Sequence, residues 1–160
     1  RTLERLNRLQ GASSGEYAQD VANDIRASMQ LHAGVFRTQA SMDEGVKKIA
    51  ELRNRVNSVG LKDHSKVFNT ARIEALEVEN LIEAAQATMV SAAARKECRG
   101  AHTVSDYERP ADDPVAPLGR DDANWMKHTL WHSESNSLTY KPVKLKPLTV
   151  DSVPPKVRTF

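Results

Sequence analysis

One stretch, from Asn69 to His102, constrains the fold of this chain more than any other part of the sequence. It contains no proline, and apolar and alanine residues recur throughout it, so it predicts a single long helix. Asn69 or Thr70 can cap its first turn, and Gly100 is the expected stop. Because its second half is apolar or small on most sides, we expect other elements to surround this helix.

Two amphipathic segments precede this stretch and predict its partners. Glu16 to Phe36 carries one apolar stripe at three- and four-residue spacing, and Ser41 to Val59 carries a second. The two stripes are formed by Val21, Ile25, Met29, His32 and Phe36, and by Met42, Val46, Ile49, Leu52 (or Arg53), Val56 and Val59. Ser41 with Glu44 fits a capping box. The sequence therefore predicts a three-helix bundle, of spectrin-repeat type, over residues 11–102.

Short segments flank the predicted helices. Residues 1–10 hold leucines in helical register and are expected to be the end of an upstream segment. Val67 and Phe68 precede the cap of the long helix, where an apolar residue can act as a hydrophobic staple. His32 lies on the first apolar stripe, so it is either a ligand or, in the interpretation we favour, a hydrogen-bonded histidine at the core edge.

The character of the chain changes after His102. Residues 103–124 are rich in proline and aspartate, which predicts a surface loop. Residues 125–160 begin with two β-prone runs joined by HSESN, which predict a small β-hairpin, and continue as an extended C-terminal tail. The predicted fold class is thus mainly α: a three-helix bundle, a long loop, a hairpin and a tail. We expect the tail, Lys144 to Phe160, to pack on a body outside this chain.

Composition excludes several classes of protein. Charged residues make up 28% of the chain and its net charge is +2, which is an ordinary surface and not a nucleic-acid footprint. The single cysteine, Cys98, excludes an internal disulfide. No apolar run approaches the ~20 residues of a membrane span, and no signal peptide is visible. The chain opens in mid-pattern without an initiating Met, so we expect a fragment of a longer protein.

The residue types suggest three kinds of chemistry, and each has a simpler structural alternative. Cys98, His102, His128 and His132 are residue types that suit zinc, but no CxxC or HExxH motif is present, so no metal site is predicted. Cys98 as a nucleophile would need a base to form thiolate, and a small buried residue is the simpler interpretation. The tail is basic with two aromatics, through Tyr140, Lys141, Lys144, Lys146, Lys156, Arg158 and Phe160. Without a recognised fold motif it predicts no nucleic-acid binding.

No glycine-rich phosphate-binding motif occurs in the chain, so it is not expected to hold FAD by itself. One polar cluster remains. It lies at the end of the long stretch and comprises Arg95, Glu97, Arg99, Gly100 and His102. From the residues alone it is either a solvated helix terminus or an interdomain contact.

Three separated blocks of the sequence carry a resemblance to a known family. They are FNTARIEALEVENLIEAAQATMVSAAARKECRGAH, RDDANWMKHTLWH and SLTYKPVKLKPLTVDSVPPKVRTF. Together they resemble the C-terminal helical domain of the succinate dehydrogenase/fumarate reductase flavoprotein family, and the resemblance covers the whole chain. L-Aspartate oxidase shares the helical block, but the long tail is more similar to succinate dehydrogenase. Cys98 departs from the pattern, because the family usually has Ser there.

The resemblance implies a function for the full-length subunit. Succinate would be oxidised to fumarate, with hydride passing to covalently attached FAD and electrons passing through an iron–sulfur subunit to quinone. The family's catalytic and flavin-binding residues lie upstream, so this fragment would be inactive alone, with no catalytic, cofactor-binding or metal residues. Its implied role is to brace the flavin domain. The resemblance favours the interdomain contact for the polar cluster.

The implied partners are the flavin-binding domain of the same chain and the iron–sulfur subunit, without nucleic acid or direct membrane insertion. The complex would lie at the cytoplasmic face of the bacterial inner membrane, or at the mitochondrial matrix face, with this subunit peripheral. Two alternatives remain: a fumarate reductase flavoprotein domain, and a free-standing helical interaction module whose basic tail is a ligand-binding arm.

Overall fold

The computed structural model describes residues 2–12 and 14–156 of the chain. Within them, helices are followed by a two-stranded antiparallel hairpin. The elements are α1 Thr2–Gly11, α2 Ala18–His32, α3 Gln39–Val56, α4 Thr70–Ala94, α5 Asp122–Trp125, β1 Lys127–His132 and β2 Ser137–Pro142. Helices α2, α3 and α4 pack on one another in a bundle. The predicted mainly α fold with a bundle and a small hairpin is therefore confirmed.

The bundle core is made of the predicted apolar stripes. It contains Val21 and Ile25 of α2, Ile49 and Leu52 of α3, and Met89 of α4, all nearly or fully buried. The long helix is not enclosed on every side, since a strip of it stays exposed. That strip consists of Ile73, Glu74, Glu77, Asn80, Ala84 and Thr88. The expectation of a surrounded central helix is therefore met where α2, α3 and β1 pack on α4 and not along this strip.

Gly45 lets the three helices approach closely. A Cβ built at this position would lie 2.6 Å from the Cβ of His32 and 2.8 Å from the Sδ of Met89. A side chain there would push α3 away from both α2 and α4, because real Cβ atoms do not approach other atoms so closely. The glycine at this register position is therefore a packing requirement and not a helix stop.

Helix α1 packs on the bundle through a buried leucine, a set of ion pairs and hydrogen bonds such as that from Arg72 to Gln10. Leu9 is fully buried in the same core as α2, α3 and α4. Arg5 and Arg8 pair with Glu79 on α4. Of the other leucines in this segment, Leu3 is exposed. The domain boundaries proposed from the sequence, at residues 11, 103 and 125, stay predictions.

Helix α3 begins earlier than predicted. Its N-cap is Thr38, whose Oγ1 accepts a hydrogen bond from the Ser41 N–H at 3.1 Å. The predicted capping box of Ser41 and Glu44 is wrong, because the Thr38 hydroxyl occupies the capping position three residues upstream. Helix α2 likewise ends at His32, so Phe36 does not continue its apolar stripe and is 82% exposed.

Of the two predicted caps of α4, Asn69 and Thr70, the structure uses Asn69. Asn69 is the N-cap: its Oδ1 accepts from the Arg72 N–H at 2.8 Å, and its Nδ2 donates to the carbonyls of Asp63 and Ser65. The predicted staple of Val67 and Phe68 is wrong. Phe68 is 98% exposed. Its φ of +50° belongs to a turn in which the side chain of Asn69 is buried and that of Phe68 faces solvent.

The predicted end of α4 is also wrong. The helix stops at Ala94 instead of Gly100, and its C-cap Arg95 has an extended backbone with φ −86° and ψ 109°. The eight residues from 95 to 102 therefore leave the helix axis and form a folded turn. Burial of Glu97 and Cys98 within this turn accounts for the early stop, since a continuing helix could not present both to the following loop.

The hairpin pairs Lys127 with Pro142 at one end and His132 with Ser137 at the other. Its inner face packs towards α4 and carries half-buried Thr129 and Trp131. The first strand begins at Lys127, two residues later than predicted, because Trp125 belongs to α5. None of the helices in the described ranges is sufficiently long and apolar to cross a lipid bilayer.

Candidate functional site

The polar cluster predicted from the sequence lies on a compact turn directly after α4. We call Arg95, Glu97, Arg99, Gly100 and His102 the junction cluster. The backbones of Arg99 and His102 pair with each other, with N–O distances of 2.9 and 3.0 Å. Gly100 lies between them at a φ of +58°, the left-handed region that glycine adopts without steric cost. The glycine therefore closes a tight turn rather than ending a helix.

Glu97 is the centre of this cluster, with only 1% of its surface exposed. Its carboxylate accepts four hydrogen bonds. Oε1 accepts from Arg95 Nη1 at 2.6 Å and Arg99 Nε at 2.7 Å; Oε2 accepts from Arg99 Nη2 and the Asp121 backbone N–H, both at 3.0 Å. A buried carboxylate requires such pairing, because desolvation of an unpaired charge is very costly. Glu97 thereby fastens the turn to the distant loop at Asp121.

Arg95 connects the same cluster to the hairpin. Its guanidinium donates to the carbonyls of Trp125 at 3.0 Å and Lys127 at 2.7 Å, and to Thr129 Oγ1 at 3.1 Å. It also lies 5.2 Å from the centre of the Trp125 ring, in the range of a cation–π contact. The planar, multi-donor head of Arg makes these bonds simultaneously, which Lys could not do.

Arg99 extends the cluster towards α5. Its Nη2 donates to Asp122 Oδ1 at 2.6 Å, and Arg120 donates to both oxygens of the same carboxylate. The hydrogen bond to Glu97, and then the one to Asp122, raise the pKa of the Arg99 guanidinium above its ordinary range. Hydrogen bonding to Arg120, and then to Arg99, lowers the pKa of Asp122. The ion pairs thus form a chain from the buried Glu97 to the surface.

His102 joins the cluster to the segment between α2 and α3. Its Nε2 lies 3.1 Å from the Arg95 carbonyl, and its Nδ1 lies 2.9 Å from Arg37 Nη1. Since a carbonyl only accepts and a guanidinium only donates, these contacts assign a neutral imidazole with its proton on Nε2. Burial lowers the pKa of His102 below its ordinary value of 6.5, and the nearby Arg37 acts in the same direction. The ring is a structural connector.

Cys98 is a buried residue at the same turn. Its Sγ lies 3.4 Å from both the carbonyl oxygen and the amide nitrogen of Val104. Its own N–H donates to the Gly119 carbonyl, and a Cβ on Gly119 would lie 3.0 Å from the Sγ. Burial raises the pKa of the Cys98 thiol above 9.0, which opposes thiolate formation. These contacts support the packing role and not the nucleophilic one.

A cleft of about 310 Å³ opens beside the junction cluster. Four cationic side chains and one carboxylate, Glu108, line it; the cations are Arg99, Arg109, Arg120 and Lys156. Its walls also include Gly100 and Leu118. The carboxylates that pair with Arg99 and Arg120 do not line the cleft, so cationic side chains outnumber carboxylates on its walls.

The other candidate residues lie apart from this cluster. His128 and His132 are exposed on the outer face of the hairpin, and the described residues contain no group of three metal-ligating side chains. His32 is 7% exposed at the core edge, with its Nδ1 3.4 Å from Ser41 Oγ. The tail lysines 141, 144, 146 and 156 are exposed, whereas Arg158 and Phe160 lie outside the described residues.

Sequence reasoning missed four members of the network: Arg37, Arg120, Asp121 and Asp122. Asp121 could have been recognised as a helix N-cap, because Asp favours that position. It does cap α5, where its Oδ1 accepts a hydrogen bond from the Asn124 N–H. Arg37 carried no such signal. Its role depends on the chain returning from α4 to the end of α2, which only the tertiary structure shows.

Comparisons with known proteins place this fold in a class, the C-terminal domains of flavoprotein subunits. Residues 22–160 match the family described as "Fumarate reductase flavoprotein C-term", and the chain belongs to that family. The chain is 39% identical over 156 residues to the succinate dehydrogenase flavoprotein subunit of Coxiella burnetii, which covers 98% of this chain and 25% of that protein.

Two further comparisons agree. The fumarate reductase flavoprotein subunit of Haemophilus influenzae is 35% identical over 146 residues, covering 89% of this chain and 23% of that protein. A solved structure of E. coli quinol fumarate reductase superposes with a TM-score of 0.77 at 30% identity, covering 95% of this chain and 25% of that one. The chain thus spans about a quarter of the length of the relatives that it matches.

Proposed function

We propose that this chain is the C-terminal domain of a succinate dehydrogenase flavoprotein subunit, and that its own role is structural. Similarity supports this choice within the family. The succinate dehydrogenase subunit of Coxiella burnetii is similar over 98% of the chain, including the tail, whereas the Haemophilus influenzae fumarate reductase covers 89% at lower identity. The full-length subunit would oxidise succinate to fumarate, and electrons would pass through an iron–sulfur subunit to quinone.

The FAD of such a subunit supplies the hydride acceptor, and the described residues do not fit its site. Their sheet is a two-stranded antiparallel hairpin, so they form no parallel-strand crevice for a dinucleotide. We therefore assign no step of the reaction to this chain. In the proposal the subunit is peripheral, at the cytoplasmic face of the bacterial inner membrane or at the mitochondrial matrix face.

The bracing role rests on one observation, the burial of Glu97 among four N–H donors. A solvated helix terminus would leave this carboxylate in water. Instead, the turn after α4, the loop at Asp121 and the hairpin are fixed to one another, with Arg99 partly exposed beside the cationic cleft. A rigid, polar, multi-donor surface of this kind suits contact with another domain. We infer that the junction cluster meets the flavin-binding domain.

The test is Arg99→Ala in the full-length subunit. We expect lower flavin content or thermal stability, a loss on the order of 1–3 kcal/mol, because the substitution leaves Glu97 and Asp122 short of donors. The Michaelis constant for succinate should change little. Arg26→Ala is the matched control, since Arg26 is exposed on α2 and donates to Asn23 of the same helix. Wild-type flavin content and melting with a many-fold higher Michaelis constant would place Arg99 in the substrate site and contradict the bracing role.

The tail extends the same proposal. Apolar residues of its described part are exposed, namely Leu145, Leu148, Val150 and Val153. Arg120 Nη1 donates to the Lys156 carbonyl at 2.6 Å and fixes the tail beside the cleft. We propose that the segment between packs on the flavin-binding domain. Hydrogen exchange on the isolated chain should then show weak protection over residues 144–155, and strong protection would contradict the proposal.

A fumarate reductase is the second candidate, favoured by the superposition on E. coli quinol fumarate reductase. The ratio of succinate oxidation to fumarate reduction in the full-length enzyme distinguishes the two. The free-standing module is distinguished more simply: coding sequence that continues upstream into a flavin-binding domain would exclude it.

A further inference from the structure

Neither phenylalanine in the described part of the chain lies in the core. Phe36 is 82% exposed and Phe68 is 98% exposed, although aromatic side chains are the largest apolar groups available to a core this poor in aromatics. The two residues lie at opposite ends of the bundle. Phe36 follows α2, at the end where α4 finishes, and Phe68 precedes α4, whose 25 residues span about 37 Å.

The exposure of Phe36 is fixed by its neighbours and is not a result of fraying. Arg37 pairs with Val104 through a backbone bridge, and its carbonyl accepts from the Ser105 N–H at 2.9 Å. The Arg37 side chain donates to the Gly34 carbonyl at 2.8 Å and to His102 at 2.9 Å. A segment held by this many bonds displays Phe36 in a defined place. Val35, 71% exposed, enlarges the apolar group; we call these two residues the Phe36 knob.

We propose that the Phe36 knob is the apolar anchor of the contact with the flavin-binding domain and that it inserts into an apolar pocket on that domain. This inference rests on the proposed function and adds to it the residue and the chemistry of the contact. Exposed aromatic groups on a rigid support act as anchors, and a few such residues dominate an interface. Phe36 is one residue from Arg37, which bonds His102, so a domain covering the junction cluster also reaches the knob.

The flavin-binding domain of the same polypeptide is the occupant that the observations favour. The Coxiella burnetii relative is about four times as long as this chain, so a body large enough to cover this end belongs to the same subunit. A separate partner would have to reach the knob beside a junction cluster already covered by that domain. The end of the bundle that carries Phe68 is far from the junction, and Phe68 is therefore an internal control.

The test is photo-cross-linking in the intact subunit. Phe36→p-benzoylphenylalanine retains an aromatic side chain, and irradiation should link position 36 to a peptide of the flavin-binding domain, identified by mass spectrometry. The same replacement of Phe68 should give no link to that domain. Links from position 36 to a second copy, to the iron–sulfur subunit, or to nothing would overturn the inference.

Alanine variants measure the strength of the anchor. In the intact subunit, Phe36→Ala should lower the rate of covalent flavin attachment roughly tenfold, whereas Phe68→Ala should leave it unchanged. In the 160-residue chain neither variant should shift the melting temperature, because both side chains are exposed. A lower melting temperature for Phe36→Ala in that chain, or equal rates of flavin attachment for the two variants in the subunit, would overturn the anchor.

The outcomes separate this inference from the bracing role. If Arg99→Ala lowers flavin content but position 36 does not link to the flavin-binding domain, the bracing role stands and the anchor is wrong. If Arg99→Ala has no effect and position 36 does link, the domains meet at the knob and the junction cluster is not the brace.

Discussion

The bundle core is formed by residues that precede Ala94 in the chain, and the junction cluster follows it. The two regions are stabilised in different ways. The core is filled by aliphatic side chains such as Ile25, Ile49 and Val78, whose burial is non-directional and roughly proportional to area. The junction is arranged around one buried carboxylate, Glu97, that needs four donors at defined positions. A packing defect in the core costs energy locally, whereas the loss of one junction member leaves several charged partners unsatisfied.

Breaking the centre of the junction should have the largest effect. Glu97→Ala removes the acceptor shared by Arg95 and Arg99 and leaves both guanidiniums partly buried without it. Loss of one partner of a buried pair costs roughly 3–5 kcal/mol, and here two guanidiniums lose the same fully buried carboxylate. The free energy of unfolding in denaturant, compared between the wild type and Glu97→Ala, measures this loss.

Glu51→Ala is the control for that experiment, because Glu51 pairs with Lys48 on an exposed helix face. Such surface pairs contribute about 0–1 kcal/mol. If the two variants lose similar stability, the buried network contributes no more than a surface pair, and the contrast between the two regions fails.

A cavity in the core should have the next largest effect. Ile49 is fully buried between the helices, so Ile49→Ala should cost roughly 2–5 kcal/mol of unfolding free energy. Leu31→Ala is the matched control, since Leu31 is 71% exposed on α2. Equal midpoints of urea unfolding for the two variants would mean that Ile49 does not pack as the structure describes. Leu76 of α4 is a less sharp probe of the core, because it is only partly buried.

The same contrast explains what the sequence could predict. Periodicity reports burial that recurs along one helix, so the stripes of α2 and α3, the core positions and the hairpin were accessible. Residues at helix ends were harder to predict from the sequence. Thr38 replaces Ser41 as the cap, and α4 ends at Ala94, because local hydrogen bonds and burial of Glu97 outweigh the helical propensity of residues 95–99.

The junction could be located by its residue types but not by its bonds. A run of Arg, Glu and His after an alanine-rich helix indicated a polar cluster. Its partners, Asp121 and Arg37, lie 24 and 65 residues from the residues they contact, Glu97 and His102. No periodic pattern encodes such pairs. The sequence also assigned Phe36 to the core, because its spacing from His32 fits a helix that in fact ends there.

Acidity should act on the junction before it acts on the core. The pKa of His102 is lowered in the folded chain, so between the folded and unfolded pKa values the unfolded state binds more protons. The associated stability is fully present above about pH 6.5 and is lost as pH falls towards the folded pKa. Protonation of His102 would place a third cation between Arg37 and Arg95. The negative charge of nearby Glu97 favours the protonated ring and so reduces this loss of stability.

The measurement is the free energy of unfolding from pH 8 to pH 5, compared between the wild type and His102→Gln. We expect the wild type to lose stability on acidification over this range and the variant to lose less. Asp122 contributes in a lower window, because its lowered pKa gives stability that is lost only as pH falls below its ordinary value of 3.8. Parallel curves for the two proteins would show that His102 is not the group that titrates.

The smallest effect we expect is at Cys98, which lies where the two regions meet. Its thiol contacts Val104 at 3.4 Å on both polar atoms, and these sulfur bonds are weak. Cys98→Ser supplies a stronger donor and acceptor, but the shorter C–O bond moves the hydroxyl away from Val104, so the two effects oppose each other. The net change in unfolding free energy should stay within about 1 kcal/mol.

The native thiol should also react slowly with a disulfide reagent at pH 8, because it is 8% exposed and its pKa is raised by burial. Labelling of the single cysteine in native and urea-unfolded protein gives the comparison directly. Native labelling as fast as in the unfolded chain would mean that the turn after α4 opens freely, and the rigid junction on which the bracing role depends would not exist in solution.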